Sequence, residues 1–213
     1  PYVVIGAAIL WFGWFGFNAG SALAANDSAA NAFLVTNLAA ATAGLTWGLI
    51  SMVKTGKMGA VGVATGAVAG LVAITPAAGA VGVLGSLAIG FGAGSICFFA
   101  IELLNRTGMD DALDVFAVHG IGGIWGAIAT GIFTVSVISG GTSGAIEGNL
   151  KQVGIQAVGV VATLAYSGVI TLVILFVLGK IPGLGLRSTE ADEDLGLDLS
   201  SHGEQAMVRD GAD

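Results

Sequence analysis

Long apolar segments alternate with short polar connectors through the first 181 residues of this chain. Six segments are legible: Tyr2 to Leu23, Ala30 to Val53, Met58 to Thr75, Ala80 to Leu104, Asp111 to Phe133 and Gln152 to Leu178. Each is near the ~20 residues that a helix needs to cross the hydrocarbon of a bilayer. The strict alternation of a closed barrel is absent, so the pattern predicts helices. The third segment stops at Pro76, which cannot continue a helix. After Pro182 the pattern turns polar, acidic and glycine-containing. The expected fold class is therefore all-α, a polytopic membrane helical bundle, with a six-span region at 1–181 and a tail at 182–213.

Composition strengthens this picture. Hydrophobic residues make up 55% of the chain and charged residues only 10%, against about 25% charged in a soluble domain. The 36 glycines include stripes at four-residue spacing: Gly62, Gly66 and Gly70; Gly82, Ser86, Gly90 and Gly94; Gly122, Gly126 and Thr130. Small residues on one helix face permit close crossings in a membrane bundle, and packing alone accounts for them.

Charge orients the spans. Six of the seven basic residues (Lys54, Lys57, Arg106, Lys180, Arg187, Arg209) follow the second, fourth and sixth segments; the opposite connectors hold only Lys151. The positive-inside rule then puts both chain ends in the cytoplasm of a multi-pass cell-membrane protein. Residues 187–213 carry most of the net charge of −7, and on composition alone the tail reads as solvated and disordered. No basic patch offers itself to nucleic acid. Cys97 is single and sits in an apolar run, with no metal cluster or internal disulfide available. The chain begins at Pro1 directly in an apolar segment, without a signal-peptide pattern; a fragment lacking its front is the expectation.

Against this apolar background a few polar residues stand out. His119 sits inside the fifth segment. A neutral imidazole donates one hydrogen bond and accepts another, and it titrates near physiological pH. An ionisable residue within a span is a functional-site hypothesis by default; the alternative is a ring bonded to a backbone carbonyl. Asp110 and Asp111 lie where carboxylates cap free N–H groups at a helix start. Asp114 is deeper and reads equally as structural or functional. In the first segment, Trp14, Phe17 and Ser21 fall on one helix face. Rings above a hydroxyl suit a cation, and an interfacial aromatic belt is the other account. Thr75 is placed to bond a carbonyl freed near Pro76.

Taken together, these residues resemble the ammonium transporter family (Amt/Mep/Rh). The string from Asp110 to Gly123 is similar to its D-D-x-x-D-x-F-x-x-H-G-x-x-G signature. Trp14 to Ser21 is similar to its W-x-x-F-N-x-G-S element. Gly196 to Glu204 resembles its cytoplasmic G-x-D-x-x-x-H-G-E motif. The resemblance implies an eleven-span fold of two inverted five-span halves and a last oblique helix, of which this chain matches the second half. It implies that His119 is the second of two pore histidines and Phe17 a ring of the outer gate. Ser21 and Trp14 would belong to ammonium recruitment, with Asp114, Thr75 and Asn18 supporting the pore. Arg187, Asp198, His202, Gly203 and Glu204 would form a regulatory tail that touches the body or a neighbouring subunit. Ala206 and Met207 depart from the family, which often places an aromatic there.

The implied partners are ammonium or ammonia as substrate, membrane lipid, two further copies in a homotrimer, the absent N-terminal half and a PII-type regulator at the cytoplasmic face. No cofactor or metal is implied, and no enzyme activity. The first pore histidine, the recruiting tryptophan and the family's buried acid have no counterpart here, so the chain is not expected to transport alone. An ammonium sensor or fusion module on the same fold is the alternative. A serine protease built on Gly141 to Gly144 is disfavoured, because Ser143 has no base within evident reach.

Overall fold

In a computed structural model that describes residues 1–205, each of the six apolar segments forms a helix. These are α1 (Tyr2–Gly20), α2 (Asp27–Thr55), α3 (Ala60–Ile74), α4 (Val83–Thr107), α5 (Gly122–Phe133) and, beyond a four-residue turn of helix α6 (Ser136–Ser139), α7 (Lys151–Leu178). A wide π-type turn, Phe116–Ile121, leads directly into α5. A short α8 (Glu190–Leu195) follows in the tail. Two compact units result, Pro1–Val161 and Ala162–Asp213, with the boundary inside α7.

Among the described residues, five helical segments are long and apolar enough to cross a membrane: α1, α2, α4, the turn with α5, and α7. The third segment is shorter than its pattern predicts. α3 has 15 residues, roughly 22 Å at a 1.5 Å rise. Thr75 and Pro76 end it, and turns carry the chain to Val81. The fifth segment also starts later than predicted. Residues 111–114 are not helical, because Asp114 takes a left-handed φ of 55°, which breaks any helix through Asp111.

The core of the first unit is α2 held between α3 and α4. Glycines make that contact possible. A Cβ on Gly70 would fall 2.5 Å from the carbonyl oxygen of Ala39, and one on Gly94 would fall 2.5 Å from that of Ala43. A Cβ on Gly126 of α5 would likewise fall 2.8 Å from the Cα of Ala73. The stripes therefore seat helix backbones rather than a ligand. Several buried polar side chains find partners: Asn18 donates to Thr36 of the neighbouring helix at 2.9 Å, and Thr130 and Thr134 donate to carbonyls one turn earlier. At one end of the bundle Lys54 of α2 pairs with Glu102 of α4. The same ammonium lies 5.6 and 5.3 Å from the ring centroids of Phe98 and Phe99, within cation–π range. The two lysines closing α2 and Arg106 closing α4 thus share an end.

The second unit shows local order where composition suggests none. Thr189 caps α8 by accepting from the Asp192 amide at 3.2 Å. A second π-type turn, Asp198–His202, closes at Gly203, which takes φ 69°.

Candidate functional site

α1 and α3 run beside each other and carry a cavity at each end of their contact. Of the residues that the sequence singles out, His119 lines one cavity and Phe17, Asn18, Ser21 and Thr75 line the other.

The first cavity, about 160 Å³, is lined by Phe17, Asn18 and Ser21 of α1 and its C-terminus, with Thr75 at the end of α3. Trp14 sits one turn below. Its indole N–H donates to Thr75 Oγ1 at 2.7 Å, and its ring meets Phe17 edge-on at 5.9 Å between centroids. Thr75 in turn donates to the Leu71 carbonyl at 2.7 Å, which is the backbone bond expected near Pro76. Ser21 donates its hydroxyl proton to the Phe17 carbonyl at 2.7 Å. A hydroxyl has one proton and two lone pairs, so Ser21 Oγ faces its surroundings as an acceptor. Phe17 is 62% exposed, which leaves its ring face open beside that oxygen.

The second cavity, about 230 Å³, lies at the other end. His119 and Val118 of the wide turn line it, with Val3, Gly6, Ala7 and Leu10 of α1 and Ala64, Thr65 and Val68 of α3. His119 is exposed to this groove, neither wedged into packing nor covered by its neighbours. Thr65, whose hydroxyl donates to the Val61 carbonyl at 3.0 Å, escapes the sequence reading. It lies within the glycine stripe of α3, which draws attention to packing; a hydroxyl flanked by Ala64 and Gly66 is the signal that could have found it. The cavity walls on α1 end at Leu10 and resume at Phe17, a gap of about 10 Å along the helix.

Two backbone features place His119. Asp111 accepts from the amides of Val115 (2.9 Å) and Phe116 (2.8 Å), one on each carboxylate oxygen. It thus caps as expected, across a turn rather than at the first residue of a helix. Asp110 is exposed. Asp114 contributes its left-handed backbone and a carbonyl that accepts from Val118 at 2.9 Å. The buried thiol of Cys97 on α4 lies 4.0 Å from the Val118 carbonyl oxygen, behind the turn.

The tail residues are in the second unit. Arg187 is exposed in a bend; Asp198 and His202 bound the second π-type turn; the Glu204 amide donates to the Asp198 carbonyl at 3.2 Å, across Gly203. Ala206 and Met207 lie outside the described residues.

Known proteins resemble this chain in sequence and fold. The model of the Ammonium Transporter Family matches residues 1–207. An ammonium transporter of Aquifex aeolicus is 53% identical over 207 residues, 97% of this chain and 48% of that protein. The crystal structure of Saccharomyces cerevisiae Mep2 superposes with a TM-score of 0.84 at 40% identity, covering 88% of this chain and 43% of that one. A solved structure described as a sensor Amt protein superposes with a TM-score of 0.83 at 32% identity, over 92% of this chain and 48% of that one. The chain thus spans about half the length of the relatives it matches. With the family model covering nearly every residue and both cavities lined by the motif residues, the chain belongs to the ammonium transporter family.

Proposed function

We propose that this segment forms one half of a transmembrane ammonium transporter and contributes part of its solute path, working within a longer protein. Hydrogen-bond chemistry at the two cavities is the observation that carries this reading. Ammonium has four N–H donors and no lone pair. At the Ser21 end, the hydroxyl proton is already committed to the Phe17 carbonyl, so the oxygen offers lone pairs, and the exposed ring of Phe17 offers a π face. That set suits a small donor-only cation. A bare cation is costly to move through an apolar membrane interior, so the neutral molecule, ammonia, is the form that passes at lower cost. Ammonia both donates and accepts. A neutral imidazole also does both, and His119 stands open to the second cavity.

The polarity follows from the basic residues. Lys54, Lys57 and Arg106 share the end of the bundle that the positive-inside rule assigns to the cytoplasm, which makes the Ser21 end external. A homotrimer and a PII-type regulator near the tail belong to the same proposal, on the support of the tail motif. None of the residues of α7 is buried, which suits contact with lipid or a neighbouring subunit.

The two roles separate kinetically. In the full-length protein, Ser21→Ala should raise the KM for methylammonium uptake about two- to tenfold, the loss of one hydrogen bond, with little change in maximal rate. His119→Ala should instead lower the maximal rate. Equal effects of both substitutions on KM alone would count against the division.

The likeness to a sensor Amt protein supports a second reading, ammonium sensing on the same fold. Ligand binding without flux in the full-length protein would favour it.

A further inference from the structure

The wide turn that carries His119 is anchored by a side chain outside it. We propose that Asp111 is a positioning residue for the transport site: its carboxylate sets the turn Phe116–Ile121 and thereby the direction in which His119 meets the groove. This rests on the reading of His119 given above.

Three observations converge on it. First, the left-handed backbone at Asp114 interrupts the chain just before the turn. The amides of Val115 and Phe116 therefore enter it without helical acceptors behind them, and the two oxygens of Asp111 supply both. The Asp114 amide also donates to the Asp111 carbonyl at 2.9 Å, so one residue ties three successive steps of the approach. Second, the far side of the turn is fixed independently. Ala117 and Val118 are buried, Cys97 approaches the Val118 carbonyl, and a Cβ on Gly122 would fall 3.1 Å from Cys97 Sγ. Third, the packing leaves room on one side of the turn. An apolar cavity of about 160 Å³ separates Ala100, Leu103 and Leu104 of α4 from Phe116, Ala117 and Ile121. With the groove on one side and this space on the other, the turn can rewind toward the ordinary 3.6-residue pitch. That would rotate the His119 ring about the helix axis. The anchor at Asp111 opposes the rewinding. Wide turns of this kind recur at functional sites because the inserted residue re-aims a side chain.

The test uses the full-length transporter and four variants: Asp111→Ala, Asp111→Asn, His119→Ala and the double variant Asp111→Ala/His119→Ala. Two quantities are read: methylammonium uptake per unit of protein in the membrane, and the imidazole nitrogen signals of His119 by NMR with labelled histidine. Asp111→Ala should lower uptake about tenfold or more, the scale of a misplaced functional group, and shift the His119 signals. Asp111→Asn, which keeps one acceptor oxygen, should recover part of both. In the double variant, losing Asp111 should add nothing to the defect of His119→Ala. Wild-type uptake in Asp111→Ala beside a defective His119→Ala would overturn the proposal. So would an equal further loss in the double variant. Where Asp111→Ala does not reach the membrane, Asp111→Asn decides: full uptake with unshifted His119 signals overturns it. Full uptake in His119→Ala would remove the transport reading instead. The His119 signals in Asp111→Ala then judge the positioning role alone, shifted for it and unshifted against.

Discussion

The two ends of the α1–α3 groove are built in opposite ways. At the Ser21 end the side chains of Trp14, Thr75, Asn18 and Ser21 are already engaged: Trp14 with Thr75, Thr75 with Leu71, Asn18 with Thr36, Ser21 with Phe17. What that end offers a solute is what such bonds leave over, lone pairs and a ring face. At the His119 end the imidazole stands open on a wide turn, and the ordered part is the backbone beneath it. One end is a rigid acceptor surface, the other an amphoteric group whose aim depends on the fold. The difference teaches that substitutions at the two ends should fail differently, through affinity at the first and through rate and geometry at the second.

The largest effect should come from the backbone under His119. Asp114→Val forces a β-branched residue into a left-handed conformation, a strain of about 1–3 kcal/mol, whereas Asp114→Gly accepts the same φ freely. Uptake and thermal stability should fall in the valine variant and largely survive in the glycine variant. Equal losses in both would assign the role to the carboxylate rather than the backbone.

Next comes the scaffold of the opposite end. Thr75→Val removes the acceptor for the partly buried Trp14 indole, and losing one such hydrogen bond costs about 0.5–1.5 kcal/mol. Unfolding in detergent should shift to lower temperature, and KM should rise. An unchanged melting temperature would show that the Trp14–Thr75 bond does not hold the two helices together.

The smallest effect concerns Trp11, one turn before Trp14, whose buried indole nitrogen has no hydrogen-bond partner among the described residues. Trp11→Phe removes an unsatisfied donor and should leave stability and uptake near wild type. A clear loss in the full-length protein would show that this N–H finds its partner outside the segment.

Much of this was legible in the chain. Apolar periodicity and the placement of lysines marked all six helices, and the glycine stripes announced the contacts of Gly70, Gly94 and Gly126 with neighbouring backbones. The strings around Trp14 and His119 named residues that do line the two cavities. Three things escaped. Hydropathy alone starts the fifth helix at Asp111, because it does not register a single left-handed residue at Asp114. The wide turn was invisible, since six residues are too few to separate its pitch from an ordinary helix. Long-range pairs such as Asn18–Thr36 and Lys54–Glu102 depend on which helices neighbour one another, and local pattern does not encode that. α3 proved short for a related reason: Pro76 marks its end, but its start at Ala60 is set by the connector after Gly56, whose left-handed φ of 74° closes α2.

The most direct test separates holding the cation from passing the neutral molecule. It compares wild type with His119→Ala in the full-length protein, measuring ammonium binding to the purified protein and methylammonium uptake into proteoliposomes side by side. Binding should persist in the variant while uptake falls by about tenfold or more. Uptake that survives the substitution, or binding that disappears with it, would contradict the division of labour between the two ends of the groove.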